Sequence, residues 1–368
     1  MPAGPNPQGS VLNPATHTLY VADSKGDNVW VYDAATCSAK VISGCARKPA
    51  TINVGLGPVV VDLDAATDTI YVANGNTNTV SVINGATCNA ETTSGCNASP
   101  HTVAVGQAPV DLGVDQATDT VYVADWDEGY GTTISVIDGK TCNGQVSSGC
   151  GKTPAYVTVG TGPAGVTVDQ ATDTVYAATV AKNNAGTLWV INGAICNATV
   201  TSGCDQKPPS LKIGAGSSQW DTVMVIDKTN DTLYADNYTD NTMSMIDVAT
   251  CNAQVTTGCG RMPKTVRAGT GPHPDAFGLN LSTHTIYVAN APTNTLSLLD
   301  ASTCNATTTS GCARLQSDSL PTGRLPQWVT VNQTTDTLYV PNGDSSNVSV
   351  LNGAACNATV QSGCTHPN

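Results

Sequence analysis

Pro58-Val-Val-Val-Asp-Leu-Asp64 runs on through Ala65-Ala-Thr-Asp68 into Thr69-Ile-Tyr71-Val-Ala-Asn74, then Asn78-Thr-Val-Ser-Val-Ile-Asn84 and the pair Cys88…Cys96. This stretch returns seven times. Its tyrosine recurs as Tyr20, Tyr71, Tyr122, Tyr176, Tyr234, Tyr287 and Tyr339, each followed by one Cys-x7-Cys pair. A period of about 50 residues marks a closed or stacked array and overrides the two-domain expectation that length alone suggests.

Each repeat reads as four short strands divided by turn signals. The first strand alternates apolar residues, as at Val61 and Leu63, and ends in Asp-x-x-Thr-Asp-Thr, where an Asp side chain can bond its own backbone two residues on. The second is Thr-(Ile/Val/Leu)-Tyr-Val-Ala. The third is β-branched, as strands prefer. A cysteine hairpin and a fourth strand such as Thr51-Ile-Asn-Val54 follow. Seven such units predict an all-β, seven-bladed β-propeller of four-stranded antiparallel blades. The blades fall near residues 5–54, 55–105, 106–159, 160–213, 214–268, 269–322 and 323–368 in one domain. The chain starts inside the first strand of blade 1 and stops after Cys364, before any fourth strand of blade 7. Either an N-terminal closing strand is lost, with Pro2-Ala-Gly4 its remnant, which is the preferred reading, or blade 7 has three strands.

The fourteen cysteines form seven equally spaced pairs: Cys37 with Cys45, Cys88 with Cys96, Cys142 with Cys150, Cys196 with Cys204, Cys251 with Cys259, Cys304 with Cys312 and Cys356 with Cys364. Neither Cys-x2-Cys spacing nor paired histidines accompany them, so the spacing predicts local disulfides rather than thiolate metal sites. That framework belongs to an oxidising compartment, hence an extracellular or cell-surface protein. A net charge of −13 argues against nucleic-acid and anionic-membrane partners, which require a basic patch. No run of residues suits membrane insertion.

Tyr71-Val-Ala-Asn74 and Tyr287-Val-Ala-Asn290, with the variants Tyr20-Val-Ala-Asp23, Tyr122-Val-Ala-Asp125 and Tyr339-Val-Pro-Asn342, resemble the signature of YVTN-type β-propellers. The resemblance spans the chain; blades 4 and 5 depart from it, the consensus Thr is absent, and the cysteine hairpin is an addition. It implies the fold, among relatives that include surface proteins and lactonase-like enzymes, and no particular activity.

In such a ring the turns between strands two and three, and between one blade and the next, share one face at the channel mouth. Positions uniform across blades serve the fold, so residues that break the repeat on that face are the candidates. Asp64 and Asp68 head two columns of turn residues, with His17 and His284 filling the second column in blades 1 and 6. The exceptions are Trp126 and Tyr130 in an enlarged blade 3 loop, Trp220 and Asp221 before blade 5, Tyr238, His273 and Asp275 before blade 6, and Gln327 and Trp328 in blade 7. Asp62 and Asp111 add carboxylates on first strands that lean toward the channel. Apolar walls with a few polar groups are the usual make-up of a ligand pocket. The leading expectation is a binding or scaffold propeller that holds a small molecule, glycan or peptide at this mouth.

Catalysis by a lactonase- or lyase-like route is the alternative. His273 and Asp275 would be the acid–base pair, with a divalent metal as a possible helper, since an imidazole near its ordinary pKa suits proton transfer. Asp125, Asp127 and Glu128 offer hard oxygen ligands for Ca²⁺. A structural module of a larger surface protein is the third reading. Asn97, Asn197, Asn305 and Asn357 lie in Asn-x-Ser/Thr sequons open to glycosylation in a eukaryotic secretory route.

Overall fold

The computed structural model describes residues 1–181, 185–216, 222–268, 274–312 and 319–364. They form a seven-bladed β-propeller in which every sheet is antiparallel and runs in chain order from the channel outward. In blade 2 the order is Pro58–Asp64, Thr69–Asn74, Thr79–Asn84 and His101–Ala104. The second strands are buried at every residue, because each lies mid-blade with a neighbouring blade against both faces. That explains their unbroken apolar run where a one-sided strand would alternate. The outer strands bury at most one residue each, such as Val103 in His101–Ala104.

Blade 7 has three strands, Thr330–Asn332, Thr337–Asn342 and Asn347–Asn352. The fourth position is taken by the first residues of the chain. Pro2 pairs with Asn347, the Val348 N–H donates to the Met1 carbonyl at 2.9 Å, and the Ala3 N–H donates to the Ser346 carbonyl at 3.0 Å. The Tyr32 hydroxyl secures this segment on the Pro2 carbonyl at 2.8 Å. The edge that looked empty in the sequence is therefore covered by Met1–Ala3.

Both turn columns serve the fold. Asp64 and its counterparts accept the backbone N–H two residues on, at 2.8–3.0 Å in every blade. Residues 17, 68, 119, 173, 231, 284 and 336 all adopt positive φ between 49° and 53°. His17 and His284 thus act as left-handed turn residues, a conformation that Asp, Asn and His tolerate better than most.

All seven disulfides are formed with the local pairing that the spacing predicts. Cys37 is bonded to Cys45, Cys88 to Cys96, Cys142 to Cys150 and Cys196 to Cys204. Cys251 is bonded to Cys259, Cys304 to Cys312 and Cys356 to Cys364, and no described cysteine is free. The second cysteine is less uniformly enclosed than the first: Cys204, Cys259 and Cys364 are buried, whereas Cys45 and Cys312 are only partly so.

The hairpins these bonds close are clasps between blades. Each buried tyrosine donates its hydroxyl to the carbonyl of the first cysteine in the next blade, at 2.6–2.8 Å, and Tyr339 returns to Cys37 to close the circle. Two residues past that cysteine, a backbone N–H donates to the Thr that opens the tyrosine's strand, at 2.8–3.0 Å. Burial raises every one of these phenols far above its ordinary pKa, so each remains a donor. Tyr71→Phe should cost about 1–3 kcal/mol in denaturant unfolding, since it strands the Cys142 carbonyl in the interior. Tyr156→Phe, on an exposed ring, is the control; equal midpoints for the two variants would refute the clasp.

Three of the sequons are spent in the same hairpins. Asn197, Asn305 and Asn357 are buried, and each donates Nδ2 to a carbonyl four residues back at 2.7–2.9 Å while Oδ1 accepts two backbone N–H groups. Glycosylation there would require the hairpin to unfold. Asn97 is exposed.

Candidate ligand site in the central channel

The first strands surround a cavity of about 690 Å³. Ser10, Val61, Leu112, Val166, Met224, Phe277 and Val329, one from each blade, form one tier of its wall. The tier is apolar except at Ser10, because these residues belong to the alternating set that the seven inner strands share.

Two carboxylates interrupt it on the side of blades 2 to 4. Asp62 accepts the Leu63 N–H at 2.8 Å and reaches into blade 3 to accept the Val114 N–H at 3.0 Å. Asp111 accepts the Leu112 N–H at 2.8 Å and the Val166 N–H of blade 4 at 2.7 Å. An inner strand has no strand on its channel side, and these side chains serve N–H groups that a fifth strand would otherwise satisfy. Burial raises the Asp62 carboxyl to about 6, although both backbone bonds pull it down.

Trp328 packs against two hydrophobic clusters, one including Phe277, Val329 and Leu338, the other including Val60, Leu112 and Val121. Its indole therefore reaches from blade 7 toward blades 2 and 3. The cavity extends to the face of the strand one–two turns, where Gln116, Gln170, Lys228 and Gln333 line it. Sequence reasoning had placed the opening on the other face and passed over this rim. The signal was the residue after each turn Asp or Asn. In blades 3, 4 and 7 it is a Gln whose amide donates to the preceding blade's carbonyl at 2.6–2.7 Å and accepts a backbone N–H at 2.9 Å. In blade 5 it is Lys228, ion-paired with Asp169 of blade 4. Burial pulls the Asp169 carboxyl up, but the hydrogen bond and charge of Lys228, together with bonds from the Ala171 N–H and Thr172, outweigh this and hold it below its ordinary pKa.

The structure thus brings Asp62, Asp111 and Trp328 to one cavity. Trp126, Tyr130, Tyr238, Gln327 and Asp275 lie outside its wall. Tyr130 is 62% exposed on the blade 3 loop. Tyr238 is half-buried, and burial together with Asp275 raises its phenol. Asp275 accepts the Ala291 N–H at 3.2 Å, and burial raises its carboxyl to about 7. Trp220, Asp221 and His273 lie outside the described residues.

The Ca²⁺ expectation for the blade 3 loop is not met. Asp125 turns into its blade, where Oδ2 accepts the Thr133 and Ser135 hydroxyls at 2.9 and 2.8 Å. Asp127 and Glu128 fold into a tight turn of positive φ. No three His, Cys, Asp or Glu side chains gather about one point among the described residues.

No protein-family model matches the sequence, and no curated protein is similar to it at the level of sequence. Solved structures are similar in fold. A Kuenenia stuttgartiensis hydrazine synthase chain superposes with a TM-score of 0.70 at 15% identity, covering 95% of this chain and 96% of that one. A chain of a mitotic checkpoint complex reaches 0.61 at 13% identity, over 95% and 92% of the two chains. The WD40 repeats of RRP9 reach 0.61 at 10%, over 92% and 87%. At these identities the likeness is one of architecture, the seven-bladed propeller.

Proposed function

We propose that this is an extracellular binding propeller whose central channel holds a small, largely apolar ligand. The observation that carries the reading is the channel itself. Its volume of about 690 Å³ lies in the range of ligand pockets, and its walls combine an apolar tier with two carboxylates and a rim of Gln116, Gln170, Lys228 and Gln333. The Asp62 oxygens keep lone pairs beyond those given to the backbone, so a ligand hydroxyl or amine has an acceptor there. Seven disulfides support an oxidising, extracellular setting. No helix among the described residues is long and apolar enough to cross a membrane.

A library of apolar small molecules, oligosaccharides and peptides, screened by tryptophan fluorescence and calorimetry, is the test. A channel ligand should bind at least tenfold more weakly to Trp328→Ala, with the far-ultraviolet circular dichroism unchanged. If no library member shows that loss, the channel is a packing void and the molecule is a structural module.

A lactonase- or lyase-like activity is the second reading, and the neutral-range Asp275 favours it. A carboxyl near 7 is suited to general-base work. On a lactone panel it requires a rate profile rising through about pH 7 that Asp275→Asn removes.

A further inference from the structure

Between the outer halves of blades 2 and 3 lies a second cavity, of about 470 Å³. Asp125, Thr133 and Ser135 line it from blade 3, Ala104, Val105 and Gly106 from the outer part of blade 2, and Lys152 and Tyr156 from the far side of blade 3. Asp125 is 2% exposed, and its Oδ1 has no hydrogen-bond partner.

The ring holds the same groove elsewhere in a filled form. One blade on, the residue equivalent to Ser135 is Trp189, whose buried indole clusters with Val157 and Val159 of blade 3. Its Nε1–H donates to Thr179, the counterpart of Asp125, at 3.0 Å. Lys207 stands 5.9 Å from the ring centre, and in blade 3 Lys152, one position nearer its cysteine, lines the groove. Gly160 packs against Thr179 and the indole, as Gly106 packs against Asp125. In blade 1 the corresponding pair is Trp30 and Asp23, both against Gly4. The other blades with a serine at this place carry an asparagine opposite it: Asn74 with Ser81, Asn237 with Ser244, Asn290 with Ser297 and Asn342 with Ser349. Blade 3 alone combines the small serine with a carboxylate.

We propose that the blade 2–3 groove is a binding site for a small planar aromatic ring bearing an N–H donor, of the indole class. The ring takes the place that Trp189 fills one blade on, directs its N–H to Asp125, and lies beneath Lys152. A cation over an aromatic face and a charged acceptor for the N–H are each attractive. Such a ring can arrive as a free molecule or as the tryptophan side chain of a peptide.

The test titrates the protein with indole and with benzofuran, which has the same shape and no N–H, by calorimetry and ligand-observed NMR. N-acetyltryptophanamide serves as the peptide-side arm, and tighter binding of it than of indole assigns the groove to a side chain. Indole should saturate one site, with intermolecular Overhauser contacts to the Ala104 and Val105 methyls, and benzofuran should bind at least tenfold more weakly. Ser135→Trp, which builds the blade 4 arrangement into blade 3, should remove indole binding. Where that variant does not fold, the Overhauser contacts of the wild-type protein decide alone. Failure of indole to saturate, equal affinity for benzofuran, contacts to channel methyls such as Val166 instead, or binding retained in folded Ser135→Trp overturns the proposal.

Discussion

Protein unfolded in denaturant, reduced, alkylated and returned to buffer should fail to regain its fold, whereas the oxidised protein should refold. Each disulfide closes a loop whose cysteines lie 8 positions apart. On the chain-entropy account such a loop contributes about 2–3 kcal/mol. Seven together contribute roughly 14–21 kcal/mol, more than the roughly 5–15 kcal/mol that usually separates folded from unfolded domains. The bridges also shape the hairpins that receive the tyrosine hydroxyls, so reduction loosens contacts between blades as well as within them. Near-ultraviolet circular dichroism of the alkylated protein is the readout. A native spectrum with a melting point within about 5 °C of the oxidised protein would show that the bridges are incidental.

Acid should stabilise the protein over a window where many proteins weaken. Burial raises Asp62 and Asp125 to about 6 and Asp275 to about 7, from an ordinary value of 3.8. A carboxyl whose pKa is higher folded than unfolded holds more protons in the native state. Its contribution is therefore fully present below pH 3.8 and lost as pH rises through 6 to 7. Relief of the −13 net charge acts in the same direction. Between pH 7.5 and 4.5 the gain should be on the order of 5 kcal/mol in denaturant unfolding. Asp169, lowered by its Lys228 partner, opposes this only toward the acid end. Asp125→Asn copies the asparagine of four other blades and should stabilise at pH 8 while changing little at pH 4. A flat profile from 4.5 to 7.5 would sink the assignment.

The ring was legible because its determinants are local and repeated. Tyr71 and its six counterparts, the Asp64 and Asp68 turns and the Cys-x7-Cys spacing each announce themselves within one repeat. The candidate site was legible only in part, because its geometry is set between repeats. Asp62 and Asp111 stood out as departures from the pattern and do reach the channel. That each would turn onto the next blade's N–H group depends on a neighbour some fifty residues away. Trp126 and Tyr130 departed from the pattern just as clearly, yet nothing in a loop's composition states how far from the axis it will lie. The blade 2–3 groove went unnoticed because its mark is a small residue: Ser135 where blades 1 and 4 carry tryptophan. An indole that is absent leaves a fainter trace than one that is present.

The tyrosine clasps also set an order of assembly. Six of them join residues 68 to 75 positions apart, so each can form as soon as the following blade has left the ribosome. The seventh joins residues 302 apart. Closing that larger loop costs about 1.3 kcal/mol more than closing one of the others on chain entropy alone. Blades one to six can therefore stand as an open arc during synthesis, and the last circle of contacts, Tyr339 to Cys37 with Met1–Ala3 beside Asn347–Asn352, must wait until blade 7 has been made.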